Sequence, residues 1–461
     1  MDKIFDIIVK ACRIIVGALF VVSGLIKSND ILGFVYKLEE YFEPGAMNLE
    51  FLTPYALELS VFVVASEILL GIALLVGALP RLTAVLTTIM MVFFTWLTWY
   101  TASCDPHGMK EIMGPDGSLI EIANQCVLEC GCFGNAIPLT AWQSFIKDVI
   151  LLILIIPIVI AAFKGRIKLN DSVESMVIYT GATVVTFLFG YLMLDWNFPT
   201  LYLVILLLVA SAIRRRVSEK NVDWKMAVGV LIVICVVQYY TLNFLPLKDY
   251  RPYAVGQSII ENRMTATELG KDAPVDAIEY EFKNILTGVD TIIYSTDYLD
   301  KKLWSDSVFK AKYEVVTYDG KEVRLKEGYE PRIMDFQMID RNGDDLIDSL
   351  LNSDKILFLH VSKDLEASGG KNQARFNIIG NKVLEQSHLF YGLSNVSYDD
   401  SESYKHKHQV PYEFLTCDQT ELKIVVRANP GLVAIKNGVV IGKWSAAGLP
   451  SNDEIDSILN K

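Results

Sequence analysis

Apolar and polar positions are segregated along this chain. Up to about Leu247 the sequence is a series of apolar runs of roughly 17 to 23 residues, each long enough to cross a ~30 Å hydrocarbon core at 1.5 Å per residue. The candidate spans are Ile4–Ile26, Tyr55–Ala78, Ala84–Tyr100, Phe145–Phe163, Met176–Leu194, Leu201–Ile213 and Met226–Leu245. The first run lacks a small-residue cleavage site before Lys27, Ser28 and Asn29, so it reads as a retained helix rather than a signal peptide. Lys3, Lys10, Arg81, Lys164, Arg166, Lys168, Arg214, Arg215, Arg216, Lys220 and Lys225 fall in one set of loops, while Asp195–Thr200 in the other set has no basic residue. Basic loops stay in the cytoplasm. Seven spans with a cytoplasmic N-terminus therefore put the loop between the third and fourth spans, and everything after the seventh, in the periplasm of a bacterial inner-membrane protein.

Beyond Lys248 no run is long enough to cross. Asp276 to Leu325 alternates apolar and polar positions, and Tyr318-Asp319-Gly320-Lys321 is placed as a type I′ hairpin turn between two β-rich runs. Later the pattern predicts strands at Ile333–Met338 and Lys355–Val361 flanking Asp344–Leu351, a helix at Asn372–Gln386, and a strand at Phe390–Val396. A helix near Thr420–Val426 follows, then strands at Gly431–Lys436 and Val439–Trp444 joined by Asn437-Gly438, and a closing helix at Asn452–Leu459.

Composition agrees with this division. The 461 residues are 52% hydrophobic with net charge −12 and mean hydropathy +0.33, too apolar for a soluble protein and too charged for one lying wholly in lipid. An acidic chain without a Lys/Arg-rich patch excludes nucleic acid as an expected partner and leaves membrane lipid and a periplasmic protein.

Two charges inside the spans are predicted to pair. Glu67 and Arg13 fall at similar depths of antiparallel spans, where an isolated charge costs roughly 2.5 to 3.5 kcal/mol or more. A structural ion pair or a role in proton or quinone chemistry both follow from that placement. Cys12 and Cys235 read as buried small hydrophobes.

Four of the seven cysteines fall in the loop 103–140: Cys104, Cys126, Cys130 and Cys132. Three arrangements are open. A strained Cys130-x-Cys132 disulfide, backed by Cys104 and Cys126 as a second pair, suits thiol exchange with relay to a membrane quinone. Two disulfides could instead simply staple the loop. Alternatively four thiolates, or three with His107, could hold zinc or an iron–sulfur cluster, against which stand the unusual spacing and the oxidising compartment. Trp96, Trp99 and Tyr100 end the preceding span and form either a flat pocket beside the thiols or an interfacial belt.

Several stretches carry a resemblance: Arg13 to Phe42; Ser66 to Gly71; and Cys130-Gly131-Cys132-Phe133-Gly134 with Trp142, Ser144, Phe145, Lys147 and Asp148 downstream. Together they are similar to DoxX/MauE-type four-helix membrane proteins, over about residues 1–165. The resemblance implies a redox-associated membrane protein, since MauE is associated with maturation of a disulfide-rich periplasmic enzyme and DoxD relatives with a quinone-linked thiosulfate oxidoreductase. On that reading Cys130, Cys132, Cys104 and Cys126 are the reactive residues, with Trp96, Trp99, Tyr100, Glu67 and Arg13 near a quinone.

The order of elements after Pro331, with Asn429-Pro430 before the penultimate strand, resembles the thioredoxin-like fold of TlpA-type proteins and implies a cis peptide at that proline. Where such proteins carry Cys-x-x-Cys, the stretch His360 to Gly370 has no cysteine, and Cys417 falls elsewhere. This domain is expected to dock a client rather than to catalyse, with His360 a core residue. Asp340, Asn342 and Asp344 begin like a calcium loop, but position six is Asp345 and position twelve Leu351, so a solvated turn is expected. His406 and His408 are assigned to a polar loop.

The expected architecture is an α-helical integral membrane bundle, with a DoxX/MauE-like four-helix core (1–165) and three further helices (166–247). A small β-rich segment (248–330) and an α/β thioredoxin-like soluble domain (331–461) follow. Two functions fit it: support of periplasmic thiol–disulfide chemistry, or a non-catalytic envelope scaffold with structural disulfides.

Overall fold

Side chains absent from two facing helices set the depth of everything else in the bundle. The computed structural model describes residues 2–105, 108–113, 118–127, 131, 133–217, 221–318, 320–368 and 370–460. It begins with helices α1 (Asp2–Asn29), α2 (Ile31–Phe42), α3 (Ala56–Val76) and α4 (Pro80–Ala102). A Cβ on Gly17 of α1 would lie 3.0 Å from the Gly71 carbonyl of α3, and one on Gly71 would lie 2.8 Å from the Gly17 carbonyl. Lacking those atoms, the two backbones pack almost in contact, as small residues allow in lipid. Gly24 likewise lies against Ile68.

After α4 come a hairpin of β1 (Met109–Met113) and β2 (Leu119–Ala123), then α5 (Ala141–Phe163), α6 (Ser172–Met193), α7 (Phe198–Arg216) and α8 (Val222–Asn243). Among the described residues six helices, α3 to α8, are long and apolar enough to cross a membrane, so the chain is a multi-pass membrane protein. The expected count of seven is thus one too many on length and composition. The helix outside the set is α1, which carries Asp2, Lys3, Asp6, Lys10, Arg13 and Lys27. It nevertheless occupies the middle of the bundle, packed on α3, α5, α6, α7 and α8.

The seam also corrects the pairing of Arg13 with Glu67. With Gly17 opposite Gly71 and Gly24 opposite Ile68, Glu67 faces the turn around Ser23, about 15 Å along α1 from Arg13 at 1.5 Å per residue. Glu67 is paired with Lys27 at 2.7 Å. Arg13 donates to the Leu74 carbonyl at 3.0 Å, Asn170 at 2.6 Å and Glu174 at 3.1 Å. Of the two cysteines expected to be buried, Cys12 is, but Cys235 lies exposed on the outer face of α8, which packs into the bundle along one side only.

In the second half, a short α9 (Ile259–Arg263) precedes β3 (Val275–Asn284), β4 (Asp290–Tyr294), α10 (Ser295–Asp300), α11 (Ser307–Lys312), β5 (Tyr313–Thr317) and β6 (Glu322–Lys326). The hairpin expected at 318–321 is not formed. Strands β5 and β6 both run antiparallel to β3 and follow one another along it, Thr317 opposite Glu281 and Glu322 opposite Ile278. Tyr318, Gly320 and Lys321 therefore interrupt one direction of travel rather than reverse it; Asp319 lies outside the described residues.

The remaining elements are α12 (Ile347–Leu351), β7 (Leu357–Val361), α13 (Gly370–Glu385), β8 (Leu389–Ser394), α14 (Tyr398–His408), β9 (Phe414–Thr416), α15 (Gln419–Val425), β10 (Gly431–Lys436), β11 (Val439–Ser445) and α16 (Asn452–Leu459). They build a sheet of order β11-β10-β7-β8-β9, with β7, β8 and β9 parallel and β10 antiparallel to both neighbours. Strand β7 is buried on both faces, Leu357 and Leu359 in one core and Phe358 in the other. The Asn429–Pro430 bond is cis, and Asn437 and Gly438 both have positive φ, as a two-residue hairpin turn requires.

Two further assignments in this half change. Ile333–Met338 is not a strand: Ile333, Phe336 and Met338 are buried at uneven spacing, and only Ile339 bridges to Thr416. His406 and His408 are not in a loop but in the last turn of α14, which Ser397 caps through the Asp400 amide.

Candidate functional site

The loop after α4 is fastened at both ends. Cys104 and Cys126 form a disulfide across the base of the β1–β2 hairpin. The Gln125 amide donates to the Gly45 carbonyl at 2.8 Å, and Lys110 donates to the Ala46 carbonyl at 2.6 Å and to the Tyr100 hydroxyl at 2.8 Å. Val127 is buried against Val35, Tyr41 and Phe42. Phe133 is buried with Val22, Ile26 and Leu194. Thr140 then opens α5 with a capping box closed by Gln143. Cys130, Cys132 and His107 lie outside the described residues, as does Lys220 of the basic loops. Gly131, between the two thiols, is described and lies beside the Lys37 side chain.

Gly131 forms part of the wall of a cavity of about 330 Å³ where three parts of the molecule meet. The ends of α1 and α2 form its floor, Gly131 and residues 133–136 one side, and the linker at 246–252 with α15 its roof. Beneath it the Lys27–Glu67 pair is nearly inaccessible, and the Lys27 ammonium lies 4.7 Å from the Phe94 ring centroid. Nearby, Lys147 pairs with the buried Asp148, which accepts from Thr98 at 3.2 Å, and Lys147 lies 5.3 Å from the Phe133 ring. Lys147 of the α5 motif thus meets the loop at Phe133.

The roof is held by specific contacts. Arg427 donates a bifurcated hydrogen bond to Asp30, its Nε lying 2.9 Å and 3.1 Å from the two oxygens. Lys363 bonds the Tyr36 hydroxyl, and the Lys363, Lys423 and Arg427 cations all lie over the Tyr36 ring. Asn29 exchanges two hydrogen bonds with the backbone of Lys248, donating at 2.7 Å and accepting at 3.0 Å. Asp249 bonds both Arg251 and Lys443. Burial opposes ionisation of Asp249, but Arg251 and Lys443 outweigh it and hold its carboxyl down to about 2. Burial, with Arg251 adding to it, pushes Lys443 well below the usual lysine range.

The sequence-predicted residues fall into three groups. Tyr100 turns inward to the Ala46 carbonyl, whereas Trp96 and Trp99 are about half exposed on the outside of α4 and do not line the cavity. Arg13 lies toward the other end of α1, away from this site. Glu67 lies just below the floor through Lys27.

In the sheet domain, the C-terminal end of β7 carries hydroxyls. Ser362 and Ser368 bond each other at 2.5 Å, and Ser362 donates to Asn429 at 3.1 Å. His360 is fully buried, 4.0 Å from the Phe376 ring and bonded to Tyr412 at 2.9 Å. Burial pushes its pKa down to about 3, so it is a neutral core residue. Burial pushes Cys417 up to about 12, which leaves an inert thiol. Asp340 closes a solvated turn onto the Asn342 and Asp344 amides.

Sequence reasoning missed Lys27, Asn29, Asp30, Tyr36 and Arg427. Their signal was a polar Lys27-Ser28-Asn29-Asp30 break between two apolar runs, which reads as a surface loop until a second domain covers it.

Residues 5–107, from α1 through the end of α4 to just past Cys104, match the family model described as methylamine utilisation protein MauE. The match stops before Cys126. No curated protein and no solved structure matches the chain.

Proposed function

We propose that this protein supports thiol–disulfide exchange at the periplasmic face of a bacterial inner membrane, with Cys130 and Cys132 as the exchanging pair. The observation that carries the reading is the position of Gly131, between those cysteines, in the wall of the junction cavity, in the same loop as the bridged Cys104–Cys126 pair. The N-terminal likeness to MauE supports a redox-associated membrane role, and the distribution of basic loops supports a cytoplasmic N-terminus.

The exchange runs as follows. A client thiolate attacks the Cys130–Cys132 disulfide and forms a mixed disulfide, and a second client thiolate resolves it. The client leaves oxidised and the pair is left as two thiols. Exchange with Cys104–Cys126 passes the reduction on, and a quinone bound in the membrane would supply the two-electron, two-proton oxidation that restores that disulfide.

We read the sheet domain as thioredoxin-like from its strand order and the cis proline beside the β7 end. With no cysteine in the stretch after β7 where such domains carry Cys-x-x-Cys, and with that end seated on Tyr36 and Asp30 of the bundle, it covers the thiol loop rather than reacting. A second reading keeps both disulfides structural, which the bracing of the loop by Cys104–Cys126 favours.

Trapping separates the two. The Cys132→Ser variant is expected to hold a mixed disulfide with an envelope protein through Cys130, visible as a reductant-sensitive adduct. If neither single serine variant captures a partner, and the double Cys130/Cys132 serine variant supports normal envelope disulfide formation, the exchange reading is wrong and the scaffold stands.

A further inference from the structure

The walls of the junction cavity are charged in a way that its internal ion pairs do not cancel. Among the described residues seven cationic side chains and three carboxylates line it. All three carboxylates are engaged: Asp30 by Arg427, Asp249 by Arg251 and Lys443, and Glu40 by Lys37. Lys423 rests over the Tyr36 ring at 4.9 Å and Arg332 donates to the Tyr250 carbonyl at 3.1 Å; among the described residues neither forms an ion pair. Among the described residues Lys248 forms its one ion pair with Asp195, at 3.3 Å, whose side chain is fully exposed to solvent; it also donates to the Asp195 carbonyl at 2.8 Å and lies 5.8 Å from the Tyr250 ring. Such an exposed pair constrains little. The hollow therefore presents Lys423, Arg332 and Lys248 to whatever occupies it.

Its depth narrows the class of ligand. The cavity lies where α1 and α8 end, at Asn29 and Asn243, and an adjoining hollow of about 370 Å³ shares Lys248, Arg251 and Arg332 with it. The second hollow runs past Tyr191, Leu192 and Met193, all more than half exposed on the last turn of α6. Cations thus stand at the level of lipid headgroups, beside an apolar surface that faces the acyl region.

We propose that this double hollow is a binding site for a phosphate group, held by Lys423, Arg332 and Lys248, and belonging either to an anionic phospholipid or to a small soluble phosphate. The site does not depend on thiol chemistry and stands or falls separately from the exchange reading.

The test uses the full chain in neutral detergent. Thermal unfolding is followed against inorganic phosphate at constant ionic strength, and lipid retention is measured by native mass spectrometry after reconstitution in phosphatidylglycerol or in phosphatidylcholine. Wild type is expected to show a saturable upward shift with phosphate. In the Arg332→Gln/Lys423→Gln variant its midpoint concentration should rise about tenfold or more, since each charge-assisted hydrogen bond is worth roughly one such factor. Retained phosphatidylglycerol, lost in the variant, identifies the lipid as the source; a phosphate shift without retained lipid identifies a soluble ligand. Equal responses in wild type and variant, or no response in either assay, overturn the site. Arg332→Gln alone, at an exposed position, keeps the comparison readable should the double variant fold poorly, and Arg332→Lys/Lys423→Arg is expected to bind as wild type does.

Discussion

In the bundle, Lys27 and Glu67 lie 2.7 Å apart with almost no exposure, whereas in the sheet domain the fully buried His360 is held neutral between Phe376 and Tyr412. Both sites hide titratable groups, yet the lysine and carboxylate of the bundle meet as a pair, whereas the imidazole has no carboxylate and is held without its extra proton. A lone charge has no water to turn to within the bundle, so a lysine there is tolerated when a carboxylate meets it. In the sheet domain a single imidazole sheds its proton at less cost than finding a partner. The lesson is confined to these two sites: the bundle's buried lysine is met by a carboxylate, while the sheet's buried imidazole is met by a neutral hydroxyl.

Breaking one member of the pair should produce the largest effect. Lys27→Met leaves Glu67 buried and uncompensated and is expected to cost about 3 to 5 kcal/mol in unfolding measurements on the detergent-solubilised protein. Adding Glu67→Met should recover most of that loss. A single variant no worse than the double would show that the two residues are not coupled.

The neutral histidine sharpens the other side of the comparison. Its folded pKa of about 3 lies below the ordinary 6.5, so the unfolded chain takes up the proton first as pH falls. The stabilisation is fully present above about pH 6.5 and declines toward pH 3, with about 2 kcal/mol gone at pH 5. His360→Phe is expected to flatten the stability of the sheet domain between pH 7 and pH 5, read from hydrogen exchange of the β7 amides. An unchanged slope would mean that another group carries the acid sensitivity.

The smallest effect belongs to the contact between the two regions. Arg427→Gln removes a partly exposed ion pair with Asp30 and should cost about 1 kcal/mol. It should speed exchange in α15 about fivefold without altering the core of either half.

Most of the helices and the Asn437-Gly438 turn were legible in the chain because each rests on local pattern, apolar run length or a turn needing positive φ, whereas the cis proline followed from the resemblance of the element order. Arg13 and Glu67 were mismatched because run length gives depth only loosely, and the register came from Gly17 and Gly71, whose meaning depends on which helix they face. The 318–321 segment has the residues of a tight turn, but both flanking runs found the same edge of β3. The cavity was invisible because its lining is drawn from residues separated by hundreds of positions, Asp30 and Arg427 among them. The cysteine loop was readable as a cluster, and its bridged pair as one of three arrangements.

The doubled hydrogen bond between Asn29 and Lys248 has one more consequence. A neutral carboxamide that gives and takes one bond each from a single residue behaves as a spare peptide group, and mobile ions do not screen it as they screen Arg427 and Asp30. Rising ionic strength therefore weakens the contact at α15 more than the attachment at the linker, so brine would ease one side of this domain before the other.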